Sequence, residues 1–253
     1  MGSALRPFPL LPRLPPIRSP PPMQIGALGD IHGAFDAVHE IMARHADVPL
    51  WVQVGDVASN EGKYFTPLRP LYWIKGNNED FDVVAEALAG ISPSPMLHHL
   101  ANGGPHQVGS WRVAALGGTF APSWYHTPAS ALPPARSRRL GGGSVKLGKS
   151  RDDKRRHFVR EEITLCKSLS GIDLFLTHEA PRPFYPAGRR IDAGKTAINE
   201  VLTAMRPRLH LFGHHHEFTD TVRHGIRSIG LDVVTESYLL IDAETFRCER
   251  LDT

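Results

Sequence analysis

Residues 24–33 read QIGALGDIHG, and this stretch sets the pattern on which the fold depends. The short run from Gln24 to Leu28 predicts a buried β-strand, and two potential metal ligands, Asp30 and His32, follow it directly. Side chains that follow buried strands meet at the strand ends, so we expect such motifs to gather at one edge of one sheet. The same order recurs four more times along the chain, at Gly55-Asp56, Gly76-Asn77-Asn78-Glu79, Thr177-His178 and Gly213-His214-His215-His216.

The residue types in these five motifs suit a pair of divalent metal ions. Two ions about 3.5 to 4 Å apart need a shared carboxylate, mixed nitrogen and oxygen ligands, and open positions for water and substrate. We expect Asp56 to bridge the ions, because a carboxylate has two oxygens. We expect Asp30 and His32 to bind one ion, and Asn77 and His178 to bind the other. His214 and His216 lie two residues apart, so one of them can bind each ion.

From about Met23 to the C-terminus, the chain resembles the calcineurin-like metallophosphoesterases. That family carries D-x-H, G-D, G-N-H-[ED], a lone His and G-H-x-H, and all but one position is matched here. The resemblance implies an α/β (α+β) fold of four layers, in which two stacked mixed β-sheets are flanked by helices. It also implies two divalent ions, with Asp30, His32, Asp56 and His216 on the first and Asp56, Asn77, His178 and His214 on the second. Mixed nitrogen and oxygen ligation accepts Mn, Fe, Zn, Ni or Co.

Asn78 departs from the family pattern, because many members have a histidine there that contacts the scissile phosphate. An asparagine donates a hydrogen bond but cannot act as a general acid, a contribution of roughly 10²- to 10⁴-fold in rate. This loss should matter most for substrates with poor leaving groups. His215 and His126 are candidate replacement donors, and His215 is also a candidate phosphate contact. We expect Glu79 to orient a ligand histidine or Asn78 without binding metal.

The function implied by the resemblance is phosphoester hydrolysis by a dinuclear metal-dependent enzyme, in which a hydroxide bridging the ions attacks phosphorus directly. The basic insertion described below and the missing acid favour nucleotide-like phosphodiesters, with nucleic acid as a further substrate class. A phosphomonoesterase or protein phosphatase fits the same core, although the fuller set of arginine-bearing motifs usual in protein Ser/Thr phosphatases is missing. A non-catalytic metal-binding scaffold is the alternative of a different class, and the intact ligand set argues against it.

The insertion, at about residues 119–150, is rich in glycine and ends in a basic block. Its residues Gly143 to Ser150, GSVKLGKS, satisfy the nucleotide-binding P-loop pattern G-x-x-x-x-G-K-[ST]. A P-loop must follow a buried strand, whereas the preceding Leu132 to Arg139 is rich in proline and arginine. We therefore expect a basic loop at the rim of the phosphate site, with Lys146, Lys149 and Arg151 as candidate substrate contacts. A solvated loop or helix face is the alternative.

Length and composition fit one domain, residues 23–253, preceded by a proline-rich disordered tail, residues 1–22. The chain has 253 residues, of which 41% are hydrophobic, and its pI of about 9.0 permits nucleotide or nucleic acid substrates. The two cysteines, Cys166 and Cys248, have no metal or redox spacing, which favours a reducing compartment, the cytoplasm. No apolar stretch approaches the roughly 18 residues of a membrane span.

The rest of the chain alternates strands and helices, which predicts parallel pairing in its first part. Asp152 to Leu169 is expected to form one helix, and Ser237 to Ile241 a strand of the second sheet. The other expected strands are Leu50 to Val54, Leu71 to Lys75, Trp111 to Leu116, Ile172 to Leu176 and Leu209 to Phe212, and the other expected helices are Ala34 to His45, Phe81 to Ala89 and Ala193 to Met205.

Overall fold

A computed structural model describes residues 23–135, 138–140, 143–145 and 152–253. The predicted tail, residues 1–22, and the candidate substrate contacts Lys146, Lys149 and Arg151 lie outside these ranges. Four α-helices are described: α1 Phe35–Arg44, α2 Phe81–Leu88, α3 Arg160–Lys167 and α4 Thr196–Met205. The strands are β1 Gln24–Leu28, β2 Trp51–Gln53, β3 Leu71–Trp73, β4 Leu97–His99, β5 Gly103–Val108, β6 Trp111–Leu116, β7 Thr119–Phe120, β8 Arg138–Leu140, β9 Gly143–Val145, β10 His157–Phe158, β11 Leu174–Thr177, β12 Leu209–Phe212, β13 Thr219–Arg223, β14 Ile226–Gly230, β15 Ser237–Asp242 and β16 Cys248–Asp252.

The first sheet has six strands in the order β16-β15-β1-β2-β3-β4. Strands β1 to β4 are parallel, as the alternation of strands and helices predicts. The expectation that Ser237 to Ile241 joins the second sheet is wrong, because β15 pairs antiparallel with β1, with Gln24 opposite Asp242. An apolar run predicts a strand buried on both faces, but it carries no information about the neighbouring strand.

The second sheet also has six strands, in the order β13-β14-β12-β11-β6-β5. Its central strands β6, β11, β12 and β14 are parallel, and the edge strands β5 and β13 are antiparallel to their neighbours. Strands β8 and β9 form a separate hairpin. Gly143 to Val145, which begins the P-loop pattern, is therefore itself a strand rather than a loop, and the rest of that pattern lies outside the described residues.

Three apolar clusters divide the domain into four layers. The central cluster joins the facing sides of the sheets, where Val52 and Ile241 of the first sheet share a core with Leu176 and Leu211 of the second. A second cluster packs α1 and α2 against the outer face of the first sheet, and a third packs α3 and α4 against the second. Two stacked mixed sheets with flanking helices are the fold class expected from the sequence, and that prediction is confirmed.

The predicted helix from Asp152 to Leu169 is wrong in its first half. The Asp153 side chain accepts hydrogen bonds from both the backbone N–H and the Nε of Arg155 at 3.0 and 2.9 Å, and holds Lys154–Arg156 in a 3-10 turn. His157–Phe158 then pairs with β7 as a short strand. Only Arg160–Lys167 is α-helical, because the fully buried Phe158 draws the chain into the core before the helix begins. None of the helices in the described ranges has the length and apolar character needed to cross a bilayer.

Candidate metal centre

The five sequence motifs meet at the carboxyl ends of parallel strands, but those strands belong to both sheets. Asp30, Asp56 and Asn77 follow β1, β2 and β3 of the first sheet, whereas His178 follows β11 and residues 214–216 follow β12 of the second. The expectation that all the ligands lie on one sheet is therefore wrong. The parallel strands of the two stacked sheets end on the same side of the domain, so the motifs still come together.

Three motifs converge in a first ligand group, which consists of Asp30, His32, Asp56 and His216. The Nε2 atom of His216 lies 3.0 Å from Oδ2 of Asp30 and 3.1 Å from Nε2 of His32. His32 Nε2 is also 3.7 Å from Oδ2 of Asp30 and 3.7 Å from Oδ2 of Asp56. Two imidazole nitrogens and two carboxylate oxygens thus face a common point, which is a donor set that divalent transition metals accept.

A second ligand group contains Asp56, Asn77 and His178. The Nε2 of His178 lies 3.1 Å from Oδ1 of Asn77 and 3.6 Å from Oδ2 of Asp56. The other ring nitrogen, Nδ1, donates to the carbonyl of Val54 at 2.9 Å. With the proton held on Nδ1, the Nε2 lone pair is free to bind a metal. Because the same Asp56 oxygen faces His32 and His178 at similar distances, Asp56 lies between the two groups.

His214, a predicted ligand of the second ion, contacts the second ligand group through the ring of His178. Its ring packs against the His178 ring with centroids 4.8 Å apart, which places it beside the second group. Its ligand nitrogen also lies within 4.8 Å of ligand atoms of Glu179 and His215, a third cluster of metal-binding residue types. In addition, the His214 backbone N–H donates to Oδ1 of Asp30 at 3.1 Å. His214 therefore links the two groups through its backbone as well as its ring.

The backbone of the site is strained at four of its predicted ligands. His32, Asp56, His214 and His216 have positive φ angles of 48°, 64°, 72° and 52°. This left-handed region is unfavourable for residues with a Cβ, and such strain persists only where surrounding interactions enforce it. The backbone N–H groups of Ile31 and His32 both donate to the Asp56 carbonyl, at 3.0 and 2.8 Å. These bonds fasten the first motif to the second.

Two motif glycines are required by close approach to the carboxylates. A Cβ atom on Gly76 would lie 2.0 Å from Oδ1 of Asp56, and one on Gly213 would lie 2.3 Å from Oδ1 of Asp30. Both distances are far below van der Waals contact. Gly76 therefore lets the end of β3 pack directly against the carboxylate of Asp56, and Gly213 lets the end of β12 pack against that of Asp30. A glycine is needed before the ligands at the end of each strand for this reason.

The electrostatics of the site favour the ionised form of Asp30 and the neutral form of His214. Burial opposes the charge on Asp30, but the hydrogen bond from His216 and nearby positive charge outweigh it, so the pKa of Asp30 falls below its usual value. The hydrogen bond to Asp30 in turn raises the pKa of His216. Burial lowers the pKa of His214 to about 2, so this imidazole is neutral and able to act as a ligand. Ionised carboxylates and a neutral imidazole are the forms that bind metal, and the residues present fit two divalent ions.

Glu79 is completely buried and supports the turn that carries Asp56. Its carboxylate accepts from the backbone N–H groups of Val57 at 2.9 Å and Ala58 at 3.2 Å, and from the Tyr64 hydroxyl at 2.8 Å. Burial and the nearby Asp56 charge raise the pKa of Glu79. The expected contact with a ligand histidine or Asn78 is replaced by these bonds. Tyr64 was not foreseen, because it lies in an irregular loop without a sequence pattern.

Asn78 contacts the site through both its side chain and its backbone. The backbone N–H donates to Oδ1 of Asp56 at 2.6 Å, and the side-chain amide lies 2.7 Å from Nδ1 of His32. The oxygen and nitrogen of an asparagine amide are exchangeable in such geometry. The structure places Nδ2 of the amide toward Nδ1 of His32. With the amide turned by 180°, its oxygen would accept from the Nδ1–H of His32 and leave Nε2 to bind a metal. Asn78 is thus placed to orient a ligand histidine.

Of the two candidate replacement acids, only His215 adjoins the ligand groups. Its ring stacks on Phe184 with centroids 4.6 Å apart, and its Nε2 is buried without a hydrogen-bond partner among the described residues. Burial lowers the pKa of His215 to about 4. His126 instead packs against Tyr125 and lines a groove along α3.

Glu179 and Lys195 are two further residues that the sequence reasoning missed. Glu179 directly follows His178 and is 2% exposed, and its Oε1 accepts from the backbone N–H of Phe120 at 3.0 Å. Lys195 Nζ lies 3.3 Å from Oε2 of Glu179. This pair places a positive charge beside His214 and His215. The sequence offered a signal for Glu179, because an acidic residue next to a predicted ligand histidine is a candidate for the same site. It offered no such signal for Lys195.

The chain is similar to several known proteins. The model of the calcineurin-like phosphoesterase superfamily domain matches residues 23–231. A lariat debranching enzyme from Schizosaccharomyces pombe is 26% identical over 217 residues, which cover 77% of this chain and 44% of that protein. The chain thus spans less than half the length of this curated relative.

Two solved structures show the same fold at low sequence identity. The protein TT1561 of Thermus thermophilus is 13% identical with a TM-score of 0.59, over 91% of this chain and 99% of that chain. A dimetal phosphatase from Danio rerio is also 13% identical, with a TM-score of 0.54, over 92% of this chain and 96% of that chain. At such identities the similarity extends to the fold alone.

Proposed function

The chain belongs to the calcineurin-like phosphoesterase superfamily. We propose that it is a metal-dependent enzyme that hydrolyses nucleotide-like phosphodiesters with two divalent ions. The observation that carries the proposal is the position of Asp56. Its Oδ2 lies 3.7 Å from Nε2 of His32 and 3.6 Å from Nε2 of His178, as a carboxylate shared by two metals requires.

The proposed ligands divide between two ions. When bound, the ions polarise the phosphoryl oxygens and lower the pKa of the attacking water. Asn78 holds the His32 ring, and Glu79 holds the turn that presents Asp56. His215 and Lys195 supply a donor and a positive charge beside the second ion. Asp30, His32, Asp56 and His216 would hold the first ion, and Asp56, Asn77, His178 and His214 would hold the second.

The choice of a diester over a monoester rests on the relative from S. pombe, whereas the missing acid bears on both ester classes. The relative from S. pombe is named a lariat debranching enzyme, which is a phosphodiesterase. Asn78 replaces the histidine that would protonate a poor leaving group, and His215, with a pKa near 4, is a weak candidate for that acid at neutral pH. A nucleotide diester releases a sugar hydroxyl, which is a poor leaving group, so its hydrolysis at this site would depend on the metal ions to stabilise the departing oxygen.

Hydrolysis of bis-p-nitrophenyl phosphate and p-nitrophenyl phosphate tests the proposal. Metal-stripped protein should regain activity on addition of Mn²⁺, Zn²⁺, Ni²⁺ or Mg²⁺, and the diester should be turned over faster than the monoester. Faster turnover of the monoester would favour a phosphomonoesterase or protein phosphatase. No turnover of either compound, in protein shown to bind two ions, would favour a non-catalytic scaffold.

Replacing Asn78 by alanine should weaken metal binding, because His32 loses the side chain that orients it. Loss of such a partner typically costs about 10- to 100-fold in metal affinity or activity. A Mn²⁺ titration measures the effect, and Asn60→Ala, at an exposed position, is the matched control. If Asn78→Ala bound Mn²⁺ as tightly as the unaltered protein, the orienting role would be wrong.

Replacing Asn78 by histidine tests the missing general acid. Among the esters hydrolysed by this variant, those with poor leaving groups should gain most in turnover.

We also propose that the enzyme works in a reducing compartment, the cytoplasm. Both of its cysteines are free. Cys166 is buried against the second sheet, and burial raises the pKa of its thiol to about 12. A thiol of this kind is unreactive, which is consistent with a role in packing.

The catalytic domain, in our proposal, extends to the end of the chain. The family model ends at residue 231, but β15 and β16 lie beyond it and complete the first sheet beside β1. Removing them would expose β1, the strand that carries Asp30 and His32.

A further inference from the structure

A groove of about 520 Å³ adjoins the final histidine motif. One wall is formed by residues 214–216, and the other by the loop of residues 181–195, which contributes Pro186, Ala187 and Arg189. We call this segment the groove loop. Because residues 214–216 both carry proposed metal ligands and line the groove, the groove loop lies where it could contact parts of a substrate beyond the scissile phosphate.

The groove loop is fixed by its own hydrogen bonds. Oδ1 of Asp192 accepts from the backbone N–H groups of Phe184 at 2.8 Å and Gly194 at 2.9 Å, and Oδ2 pairs with Nε of Arg182 at 2.7 Å. At its tip, the N–H of Ala187 donates to Glu217, next to the histidine motif, at 2.7 Å. A loop tied at both its base and its tip presents its exposed side chains in defined positions, which lowers the entropic cost of binding.

The exposed side chains of the groove loop are basic and aromatic. Arg189 is exposed and lines the groove, and its guanidinium makes no hydrogen bond or ion pair with the residues that the structure describes. Tyr185 is 57% exposed and lies beside the groove, next to its lining residue Pro186 in the chain. Arginine binds phosphate through two parallel hydrogen bonds, and an exposed aromatic ring offers a platform on which an unpaired base stacks. The two residues together have the chemistry of a site for single-stranded nucleic acid.

We propose that the groove loop binds a single strand of nucleic acid next to the scissile phosphate, with Arg189 on a neighbouring phosphate and Tyr185 against a neighbouring base. This assignment rests on the proposed function, because it takes the metal ligands as the place of cleavage. It adds the substrate class: a strand with at least one further phosphate and one unpaired base beyond the reacting diester, rather than a small cyclic or terminal ester. A continuous base-paired duplex offers no unpaired base to Tyr185, so the proposal predicts weaker binding of a duplex than of a single strand.

Binding of a fluorescein-labelled single-stranded oligonucleotide to the metal-loaded full chain, followed by anisotropy, tests the proposal. Arg189→Gln should raise the Kd about tenfold and reduce the slope of log K against log salt by about 0.7, the value for one phosphate contact on a single strand. Tyr185→Ala should raise the Kd by about tenfold through lost stacking. Arg190→Gln removes an adjacent exposed arginine outside the groove and is the matched control, expected to change the Kd less than twofold.

The assay on bis-p-nitrophenyl phosphate separates this proposal from the function on which it rests. In Arg189→Gln and Tyr185→Ala, the loss on the oligonucleotide should exceed any loss on the small diester at least about fivefold. Equal losses on both, unchanged oligonucleotide binding in both variants, or an equal effect of Arg190→Gln would overturn the assignment. So would displacement of the oligonucleotide by a phosphoserine peptide at lower concentration than by unlabelled strand. If the small diester is not hydrolysed but the variants weaken strand binding as expected, the proposed function fails and the strand site stands.

Discussion

Replacing Asp56 by asparagine should reduce metal-dependent kcat/KM by roughly 10³-fold or more, because two ions lose their shared ligand. Asp56 Oδ2 is the carboxylate oxygen near both His32 and His178. Asparagine keeps the shape of the side chain and tolerates the left-handed φ of 64° at this position. The turn should also persist, because Ile31 and His32 are held by the backbone carbonyl of Asp56 and not by its side chain. The defect is therefore expected in metal binding rather than folding.

Two measurements check this prediction. The metal content after dialysis should fall below two ions per chain, while the far-ultraviolet circular dichroism spectrum stays unchanged. Asp56→Ala should lose at least as much activity, and Asp47→Ala, at an exposed position away from the motifs, should behave as the unaltered protein. Full activity in Asp56→Asn would refute the assignment of Asp56 as the bridging ligand.

The second large effect is expected from Gly76→Ala, a change of one methyl group outside the ligand set. The new Cβ would lie 2.0 Å from Oδ1 and 2.4 Å from the backbone nitrogen of Asp56, so the Asp56 turn or the strand end carrying Asn77 has to move. A displacement of about 1 Å at a catalytic group can cost 10²-fold in rate. We therefore expect turnover to fall by about 10²-fold, and metal affinity to fall with it.

Gly90→Ala provides the matched control for this steric argument. No atom lies within 4 Å of a Cβ added at Gly90, but its φ of +88° is unfavourable for alanine. This variant should lose about 1 to 2 kcal/mol of stability through backbone strain and keep its turnover. Comparing kcat/KM and the free energy of unfolding of the two variants distinguishes a clash at the metal centre from a general loss of stability. Normal turnover in Gly76→Ala would show that the close approach is not required.

Most elements of the fold could be predicted from local pattern. Strands β1, β6 and β12 begin and end where the sequence predicts them. Helix α1 is one residue shorter than predicted at each end, and α2 is one residue shorter at its C-terminal end. These elements have clear apolar periodicity and buried faces. Strand β5, residues 103–108, was not foreseen because it contains two glycines and a proline, residues that usually interrupt strands. It is tolerated as an edge strand paired on one side with β6.

The sequence by itself determined the types of ligand, their order and the family fold, because residue chemistry and apolar periodicity are local properties of the chain. Only the tertiary structure decided which residues meet. His178 reaches Asn77 across 101 positions, and both sheets contribute to the centre where one was expected. The support of the Asp56 turn by Glu79 and Tyr64, and the place of the groove loop beside the histidines, likewise depend on packing between distant segments. Such contacts arise from the stacking of two sheets over a shared apolar core, which no local pattern specifies.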